Sequence, residues 1–333
     1  MVLDKNTPER LKVRFQNFLR EFWDVFREGG VNIPVSGYEM DIDTGSHPPI
    51  AVKNPRYGLH ESVIMNKTIA MLYDLGFIVK DVLSPWGFRI TLAPKPHQDE
   101  VTDIADYVWR FCINYILLNK VTRSASYPIP RCDNAVMYGF GTATCFILFD
   151  AYSGYHQIKL TKEASLKTAF YAPQGRKYRF VVIPFGPKKS PVAYVAMAHD
   201  LQEIWRDLAI KEGIGVDENE GTTIIIDDTL LFSISEDNMF VLARCVCIVA
   251  RKYCLTWKLK KCRWFPQELE FVGVDVSKYG NSPAKSKFEL LKRWKQPTTA
   301  RAVMGFIGFT MFYMRWIAYF ELKITPLRDL IRG

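Results

Sequence analysis

Two adjacent aspartates interrupt an apolar run in the stretch "TTIIIDDTLLFS". Without Asp227 and Asp228, this run would be typical of a buried strand. A carboxylate taken out of water is costly, and a second carboxylate beside it adds repulsion. The pair therefore needs a positive partner.

A third aspartate ends another apolar run, "CFILFD". In a strand, Phe146, Leu148 and Asp150 share one face because side chains alternate with a period of two. If "TTIII" and "LLFS" form a hairpin with Asp227 and Asp228 at its turn, both aspartates can approach Asp150 on a neighbouring strand.

Three carboxylates with no nearby His or Cys cluster favour Mg²⁺ or Mn²⁺ over zinc. Two such ions can stabilise the attacking and the leaving oxygen of a phosphoryl transfer. A pair of exposed turn aspartates would give the same letters, so the surrounding sequence has to decide between the two interpretations.

The composition is that of an ordinary globular protein, because 333 residues with 48% hydrophobic content can bury a large core. No apolar run approaches the roughly 20 residues of a membrane span, and the N-terminus lacks a signal-peptide core. These features predict an intracellular protein, cytoplasmic or nuclear, with no membrane partner. The seven cysteines have no paired spacing, which predicts reduced thiols.

The net charge of +9 is concentrated near the C-terminal end. Residues 278–333 contain eleven Lys and Arg against three acids. A second run at 251–264, "RKYCLTWKLKKCRW", has six cations, no acids and interleaved aromatic residues. Two such segments in the same chain as a carboxylate pair favour a polyanionic partner over a merely solvated surface.

Periodicity predicts a mixed α and β chain. We expect helices at 8–27, 60–75 and 236–256, a further helix after Ser190, and two or three helices in the basic tail. We expect strands in "FRITLA", "RFCINY" and "CFILFD" and at 269–277, and a polar loop at 211–221.

Taken in order, the motifs resemble the polymerase part of gypsy-type LTR retrotransposons and, more distantly, retroviral reverse transcriptases. The similar segments are "EFWDVF", "DIDTGSHPPI", "MLYDLGFIVKDVLSPWGF", "WRFCINYILLNKVT", "YPIPRCD", "CFILFDAYSGYHQIKL", "KTAFYAPQGRKYRFVVIPFGPKKSP", "IIDDTLLFS", "KKCRWFPQELEFVGVDVS" and "FIGFTMFYMRWIAYFELKITPLRDL". Each motif alone is weak, but the series in the family's order is highly specific.

The resemblance implies an α+β right-hand polymerase with fingers, a palm built on a ferredoxin-like antiparallel sheet, and a short helical thumb. The division it implies is an N-terminal helix and extended segment at 1–45, fingers at 46–118 with 158–188, a palm at 119–157 and 189–277, and a thumb at 278–333.

The resemblance also implies roles for single residues. Asp150, Asp227 and Asp228 would hold two Mg²⁺ ions, or Mn²⁺, and Lys261 would protonate the pyrophosphate or contact a backbone phosphate. Five further residues would form the site for the deoxynucleotide: Lys95 and Arg110 at the phosphates, Tyr155 beneath the sugar, and Phe185 and Gly186 against the nucleotide and template.

The implied function is RNA- and DNA-directed DNA synthesis from a primer annealed to an RNA or DNA template, with dNTPs as substrates, during retrotransposon replication. Two alternatives stay open: a catalytically decayed nucleic-acid-binding remnant, and an RNA-templated RNA polymerase. Because only Glu321 and Asp329 follow Glu289 as acids, we expect that ribonuclease H activity, like integrase activity, would come from another domain of a parent polyprotein.

Overall fold

The computed structural model of the chain describes residues 3, 7–31, 33–53, 56–94, 109–124, 127–128, 140–217 and 219–331. Its α-helices are α1 Glu9–Phe22, α2 Leu59–Asp74, α3 Ile116–Val121, α4 Lys162–Leu166, α5 Ser190–Lys211, α6 Glu236–Tyr253, α7 Lys285–Lys292, α8 Ala300–Phe312 and α9 Phe320–Asp329. Short 3-10 helices cover Trp23–Val25, Gly154–Gln157, Pro173–Gly175, Leu259–Lys261 and Met314–Trp316. None of the helices within these described ranges combines the length and the apolarity that crossing a membrane requires.

The strands belong to several sheets, and most of them are short. They are β1 Phe26–Arg27, β2 Glu39–Met40, β3 Ile78–Lys80, β4 Phe88–Pro94, β5 Trp109–Ile113, β6 Cys145–Asp150, β7 Lys159–Leu160, β8 Phe170–Tyr171, β9 Lys177–Phe180, β10 Gly221–Ile225, β11 Asp228–Ser233, β12 Trp257–Lys258, β13 Arg263–Trp264, β14 Glu268–Phe271, β15 Val274–Ser277 and β16 Gly280–Pro283.

A four-stranded antiparallel sheet in the order β10-β11-β6-β13 forms the centre of the molecule. Helix α5 packs against β10 and α6, and α6 packs against β11 and β6. Side chains alternate along β6. Ile147 and Phe149 therefore pack in the main core, and Phe146 and Leu148 pack in a second apolar cluster that includes residues of β14 and β15. Both faces of the strand that carries Asp150 are therefore covered.

The N-terminal helix α1 supports this sheet. Its buried residues Leu11, Phe15, Phe18 and Phe22 follow the spacing of one helical face. The rings of Phe15 and Phe18 lie 4.9 and 5.0 Å from the ring of Trp264 in β13, which pairs with β6. Helix α1 thus packs behind the strands that position Asp150.

A five-stranded sheet in the order β3-β9-β8-β4-β5 lies earlier in the chain, and a three-stranded sheet β14-β15-β16 precedes the C-terminal helices. Helices α8 and α9 contact each other and enclose a small cluster of their own, with Val303, Ile307, Phe320 and Ile324 at its centre. This arrangement is the α+β architecture predicted from the sequence.

Two predicted elements differ from the structure. The helix predicted at 8–27 ends at Phe22 because Phe26 instead pairs in parallel with Trp257. The single strand predicted at 269–277 is a hairpin, β14 and β15, whose turn residues Val272 and Gly273 have φ of 53° and 81°. Positive φ at both central positions gives the two-residue turn that matches strand twist, so the chain reverses there.

Candidate active site

The antiparallel register brings the three predicted aspartates to one end of the central sheet. Asp150, the last residue of β6, lies directly opposite Asp228, the first residue of β11. Asp227 occupies the two-residue turn between β10 and β11, and its carbonyl oxygen accepts a hydrogen bond from the Ala151 amide at 3.2 Å. The hairpin and the neighbouring strand predicted from the sequence are both present.

The turn that carries Asp227 is strained. Ile226 has a φ of 54°, a region that a β-branched residue seldom adopts. The flanking strands fix this conformation, because Ile225 pairs with Asp228 and is 7% exposed. Backbone strain of this kind persists only where surrounding structure imposes it, and it is concentrated at functional sites.

Among the described residues, Lys261 is the cation that pairs with these carboxylates. It ends the 3-10 helix that leads into β13, and its Nζ lies 2.9 Å from Oδ2 of Asp150. Asp150 is largely buried at its side chain, whereas the lysine side chain is mostly exposed. The ammonium group therefore reaches the aspartates from the solvent side.

The charge of Asp227 is less well compensated than that of Asp150, which is paired with Lys261. The Oδ1 atom of Asp227 is buried and has no hydrogen-bond partner among the described residues. Burial, reinforced by the charges of Asp228 and Asp150 and partly opposed by Lys261, raises the pKa of Asp227 to about 6. Burial and the charge of Asp150 also raise the pKa of Asp228. The site thus has more negative charge than its own cation neutralises.

The donor set suits a hard divalent cation. As the side chains stand, no group of three His, Cys, Asp or Glu within the described ranges is gathered to hold a metal ion, and Lys261 already contacts Asp150. The chemistry nevertheless fits, because carboxylate oxygens are the ligands that Mg²⁺ and Mn²⁺ prefer. The unpartnered Oδ1 of Asp227 marks where additional positive charge would stabilise the site.

Tyr155 and Phe185 lie together beside the aspartates. Tyr155 belongs to the 3-10 turn that begins at Gly154, shortly after the end of β6. Its ring meets the ring of Phe185 edge to face, with centroids 5.2 Å apart. Burial and the charge of Asp227 raise the pKa of Tyr155, so its hydroxyl stays protonated at neutral pH.

Gly186 allows the segment after Phe185 to approach strand β5. It has a φ of 111°, and a Cβ there would lie 3.5 Å from the carbonyl oxygen of Ile113, the last residue of β5, and 3.2 Å from Cδ2 of Tyr115. The Asn119 side chain fixes this turn at two points: its Nδ2 donates to the Gly186 carbonyl and its Oδ1 accepts from the Lys188 amide, both at 2.8 Å. Asn119 was not among the predicted site residues.

The two predicted phosphate contacts have different outcomes. Arg110 is exposed on β5, where it pairs in register with Ala93 at the end of β4. Its neighbours Trp109 and Phe111 line a cavity of about 270 Å³ together with Phe185. Because side chains alternate along a strand, the side chain of Arg110 lies on the face of β5 that is turned away from this cavity. Lys95 lies outside the described residues.

A basic cavity of about 720 Å³ lies beside strands β4 and β5 of the five-stranded sheet. Its lining contains three cations, Lys53, Arg56 and Arg89, close to Asn114 and Ile116. The sequence does not predict this cavity, because Lys53 and Arg56 form no basic run and Arg89 comes from a separate segment of the chain.

Two buried residues in the site also had no sequence signal. Tyr194 of α5 is 3% exposed, and its ring lies perpendicular to that of Tyr155 with centroids 5.7 Å apart. Gln157 is fully buried and its side chain bonds both the amide and the carbonyl of Thr256, at 2.8 and 2.9 Å. Gln157 thus joins the turn that carries Tyr155 to the segment that leads to Lys261.

Known proteins are similar to this chain in sequence and in fold. The family model described as "Reverse transcriptase (RNA-dependent DNA polymerase)" matches residues 102–276, more than half of the chain. A foamy viral protease-reverse transcriptase in complex with double-stranded DNA shares the fold with a TM-score of 0.81 at 18% identity, over 98% of this chain and 53% of that one. Another structure of the foamy viral enzyme, in complex with an RNA/DNA hybrid, has a TM-score of 0.78 at 18% identity and covers 98% of this chain and 41% of that one.

Curated relatives from Drosophila melanogaster are similar along the whole chain. The Retrovirus-related Pol polyprotein from transposon opus is 27% identical over 98% of this chain, and that from transposon 412 is 28% identical over 96%. The corresponding polyprotein from transposon gypsy is 26% identical over 100% of this chain. The chain spans 31%, 24% and 30% of the lengths of these relatives, respectively. With the aspartates at one end of an antiparallel sheet and the family model covering that sheet, the chain belongs to the reverse transcriptase (RNA-dependent DNA polymerase) family, as its sequence motifs predict.

Proposed function

We propose that this chain is an RNA- and DNA-directed DNA polymerase of a gypsy-type LTR retrotransposon. The observation that carries the proposal is the register of the central sheet, which sets Asp150 opposite Asp228 and leaves Asp227 in the adjoining turn. In the reaction, the 3′-oxygen of a primer attacks the α-phosphorus of a deoxynucleoside triphosphate, and pyrophosphate leaves with the electron pair of the broken P–O bond.

Divalent ions bound at the three carboxylates would lower the pKa of the primer 3′-hydroxyl and offset the charge of the triphosphate. For this binding, Lys261 has to move away from Asp150, to which it is now paired. Its exposed side chain can then carry a proton to the leaving pyrophosphate or contact a phosphate of the backbone.

The remaining residues of the site would bind the nucleotide. Arg110, with its planar guanidinium, and Lys95 would contact the triphosphate, Arg110 from the face of β5 opposite to the one that faces Phe185. Tyr155 would lie beneath the sugar, where its ring leaves no room for a 2′-hydroxyl. Phe185, held edge to face against Tyr155, and Gly186 would close the pocket beside the template.

The partner we propose is a template of RNA or DNA with an annealed primer. The solved structures similar in fold are described as complexes with double-stranded DNA and with an RNA/DNA hybrid. The excess of cations after residue 277 supports the same class of partner here. Because the curated relatives are polyproteins, ribonuclease H or integrase activity could be supplied by other parts of a parent polyprotein.

The division into parts is proposed on the same basis. Residues 1–45 would form an N-terminal helix and an extended segment. Fingers at 46–118 with 158–188 would contain the five-stranded sheet, and a palm at 119–157 and 189–277 would contain the four-stranded sheet. A thumb would occupy residues 278–333.

Primer extension on a defined RNA template tests the proposal and its two rivals together. With Mg²⁺, we expect extension with dNTPs on RNA and on DNA templates, and little extension with NTPs. A preference for NTPs would favour an RNA-templated RNA polymerase. Tight primer–template binding without extension, under both Mg²⁺ and Mn²⁺, would favour a catalytically decayed remnant.

A further inference from the structure

Gly154 has no side chain at a point where one would collide with Asp227. A Cβ on Gly154 would lie 2.4 Å from Oδ1 of Asp227 and 3.0 Å from its Cγ. Its distance to Cε2 of Tyr194 would be 3.2 Å, a tight contact but a much smaller overlap than that with Oδ1. Gly154 lies outside the positive-φ region, so its backbone conformation is open to alanine. The carboxylate, and not the backbone, therefore excludes a side chain here.

The crowded oxygen is the same one that lacks a hydrogen-bond donor. Oδ1 of Asp227 is buried without a partner among the described residues. A buried oxygen in that state is unfavourable, so hydrogen bonding does not hold the carboxylate in this position. Close packing against the backbone of Gly154 is the restraint that the described residues show.

Gly154 and Tyr194 also support the neighbouring aromatic site. Gly154 directly precedes Tyr155 in the 3-10 turn, and the Tyr155 ring packs perpendicular to Tyr194. Gly154 thus lies against the carboxylate of Asp227 and directly precedes Tyr155, whose ring is supported by Tyr194. A displacement of Asp227 away from Gly154 would separate two groups that the proposed reaction needs side by side.

We propose that Gly154 is a positioning residue whose missing side chain sets where the Asp227 carboxylate lies, and through it the affinity of the site for divalent cations. The inference rests on the proposed function, because it assigns Asp227 to metal binding. A methyl group at this position pushes the carboxylate, or the hairpin turn that carries it, away from Gly154 and so changes its position relative to Asp150 and Asp228.

A double-mutant cycle tests the steric part without any activity measurement. In the wild-type background, Gly154→Ala should lower the urea midpoint of unfolding in EDTA. In the Asp227→Ala background, which has no carboxylate to displace, the same change should leave the midpoint unchanged or raise it slightly, because Gly→Ala restricts the unfolded chain. An equal decrease in both backgrounds would overturn the inference, since the collision would then lie elsewhere.

Binding of Mn²⁺, followed by electron paramagnetic resonance, tests the metal part. Residues that orient a metal ligand typically change affinity by roughly 10- to 100-fold when they are substituted. We expect Gly154→Ala to weaken Mn²⁺ binding within that range and to lower kcat more than it raises KM for the nucleotide. Gly215→Ala is the matched control, because a Cβ there would meet nothing within 4 Å and φ is not positive; it should leave the affinity unchanged.

The two proposals fail separately. If Asp227→Asn still extends a primer, the proposed function is wrong at this residue. If Asp227→Asn is inactive but Gly154→Ala binds Mn²⁺ with wild-type affinity, the inference about Gly154 is wrong and the proposed function stands.

Discussion

The surroundings of the Asp227 carboxyl oppose its charge. Its pKa of about 6 lies above the ordinary 3.8, so the folded state binds the proton more tightly than the unfolded state does. The free energy of unfolding therefore falls as the pH rises from about 4 to about 6, and the penalty is complete above that range.

Replacing Asp227 with asparagine should consequently stabilise the metal-free protein. The shift corresponds to at most about 3 kcal/mol, and partial exposure of the carboxyl reduces this to about 1–2 kcal/mol at pH 8. Urea unfolding in EDTA measures the difference, which should shrink between pH 8 and pH 5. A destabilised Asp227→Asn protein at pH 8 would contradict the electrostatic account.

The side chain of Tyr155 gives a second prediction for a single residue of the site. A smaller side chain opens space beneath the sugar, so Tyr155→Val should incorporate ribonucleotides more readily relative to deoxynucleotides. We expect a change of at least about tenfold in the ratio of kcat/KM values, the equivalent of about 1.4 kcal/mol. Tyr279→Ala, at an 88% exposed tyrosine, is the control and should keep the wild-type ratio. Unchanged discrimination in Tyr155→Val would place the sugar selection at another residue.

Single residues differ in how far the sequence predicts them. The three aspartates are predictable because each interrupts or ends an apolar run, and burying a charge that has no compensating partner is unfavourable. Gly154, Tyr194 and Asn119 are not, because their contacts join residues far apart in the chain and leave no periodic pattern. The close approach of Gly154 to Asp227 becomes apparent only once β6 and β11 are paired in register.

Among the elements, the β10–β11 hairpin combines stability and strain. A β-branched residue at positive φ costs roughly 1–2 kcal/mol, and glycine relieves that cost while adding about 0.5–1 kcal/mol of its own. We therefore expect Ile226→Gly to unfold within about 1 kcal/mol of wild type but to extend primers more slowly, because the turn no longer fixes Asp227.

The adjacent isoleucine provides the control for the hairpin. Ile225 is 7% exposed and has no positive φ, so Ile225→Gly should cost about 3 kcal/mol or more because its side chain no longer packs in the core. Chemical denaturation of both variants separates strain from packing. An Ile226→Gly protein as unstable as Ile225→Gly would show that the turn is not strained.

The elements also show where periodicity misleads. Helices α2, α5 and α6 lie where the apolar spacing predicts them, and β6 has the predicted bounds. The β14–β15 hairpin was predicted as one strand, because "FVGV" keeps an apolar pattern through a two-residue turn and only Gly273 marks the reversal. The end of α1 depends on the pairing of Phe26 with Trp257, a contact between distant residues that local pattern does not encode.

At the scale of the whole molecule, the basic C-terminal segment should control the strength of nucleic-acid binding. Arg293, Lys295 and Arg301 are exposed, and we expect them to neutralise phosphates of the duplex. Changing all three to glutamine should reduce the slope of log affinity against log salt by about one for each phosphate that is no longer neutralised. Fluorescence anisotropy of a labelled primer–template between 50 and 200 mM salt, roughly the range in which such ion pairs dominate, measures the slope.

A cation that already has a partner is the control. Arg10 is paired with Glu236, so Arg10→Gln should leave the slope near the wild-type value. If the triple variant keeps the full slope, the C-terminal cations are only a solvated surface and the duplex follows another path.

The overall architecture was predictable to a greater degree than its details. The order of motifs indicates the family and hence the fold, which the similar solved structures confirm. The basic cavity lined by Lys53, Arg56 and Arg89 was not predictable, because its charges come from two segments that are brought together only by the fold.

The central claim is that Asp150 and Asp227 act in one centre for nucleotidyl transfer. Single-turnover extension of a primer on an RNA template with Mg²⁺, together with the primer–template Kd from the same preparations, tests it most directly. We predict that Asp150→Asn and Asp227→Asn each lose extension while their Kd stays within about threefold of wild type, a difference of less than about 1 kcal/mol. Asp207→Asn, at an exposed position of α5, should behave as wild type in both measurements. Extension at the wild-type rate by either Asp150→Asn or Asp227→Asn would contradict the account.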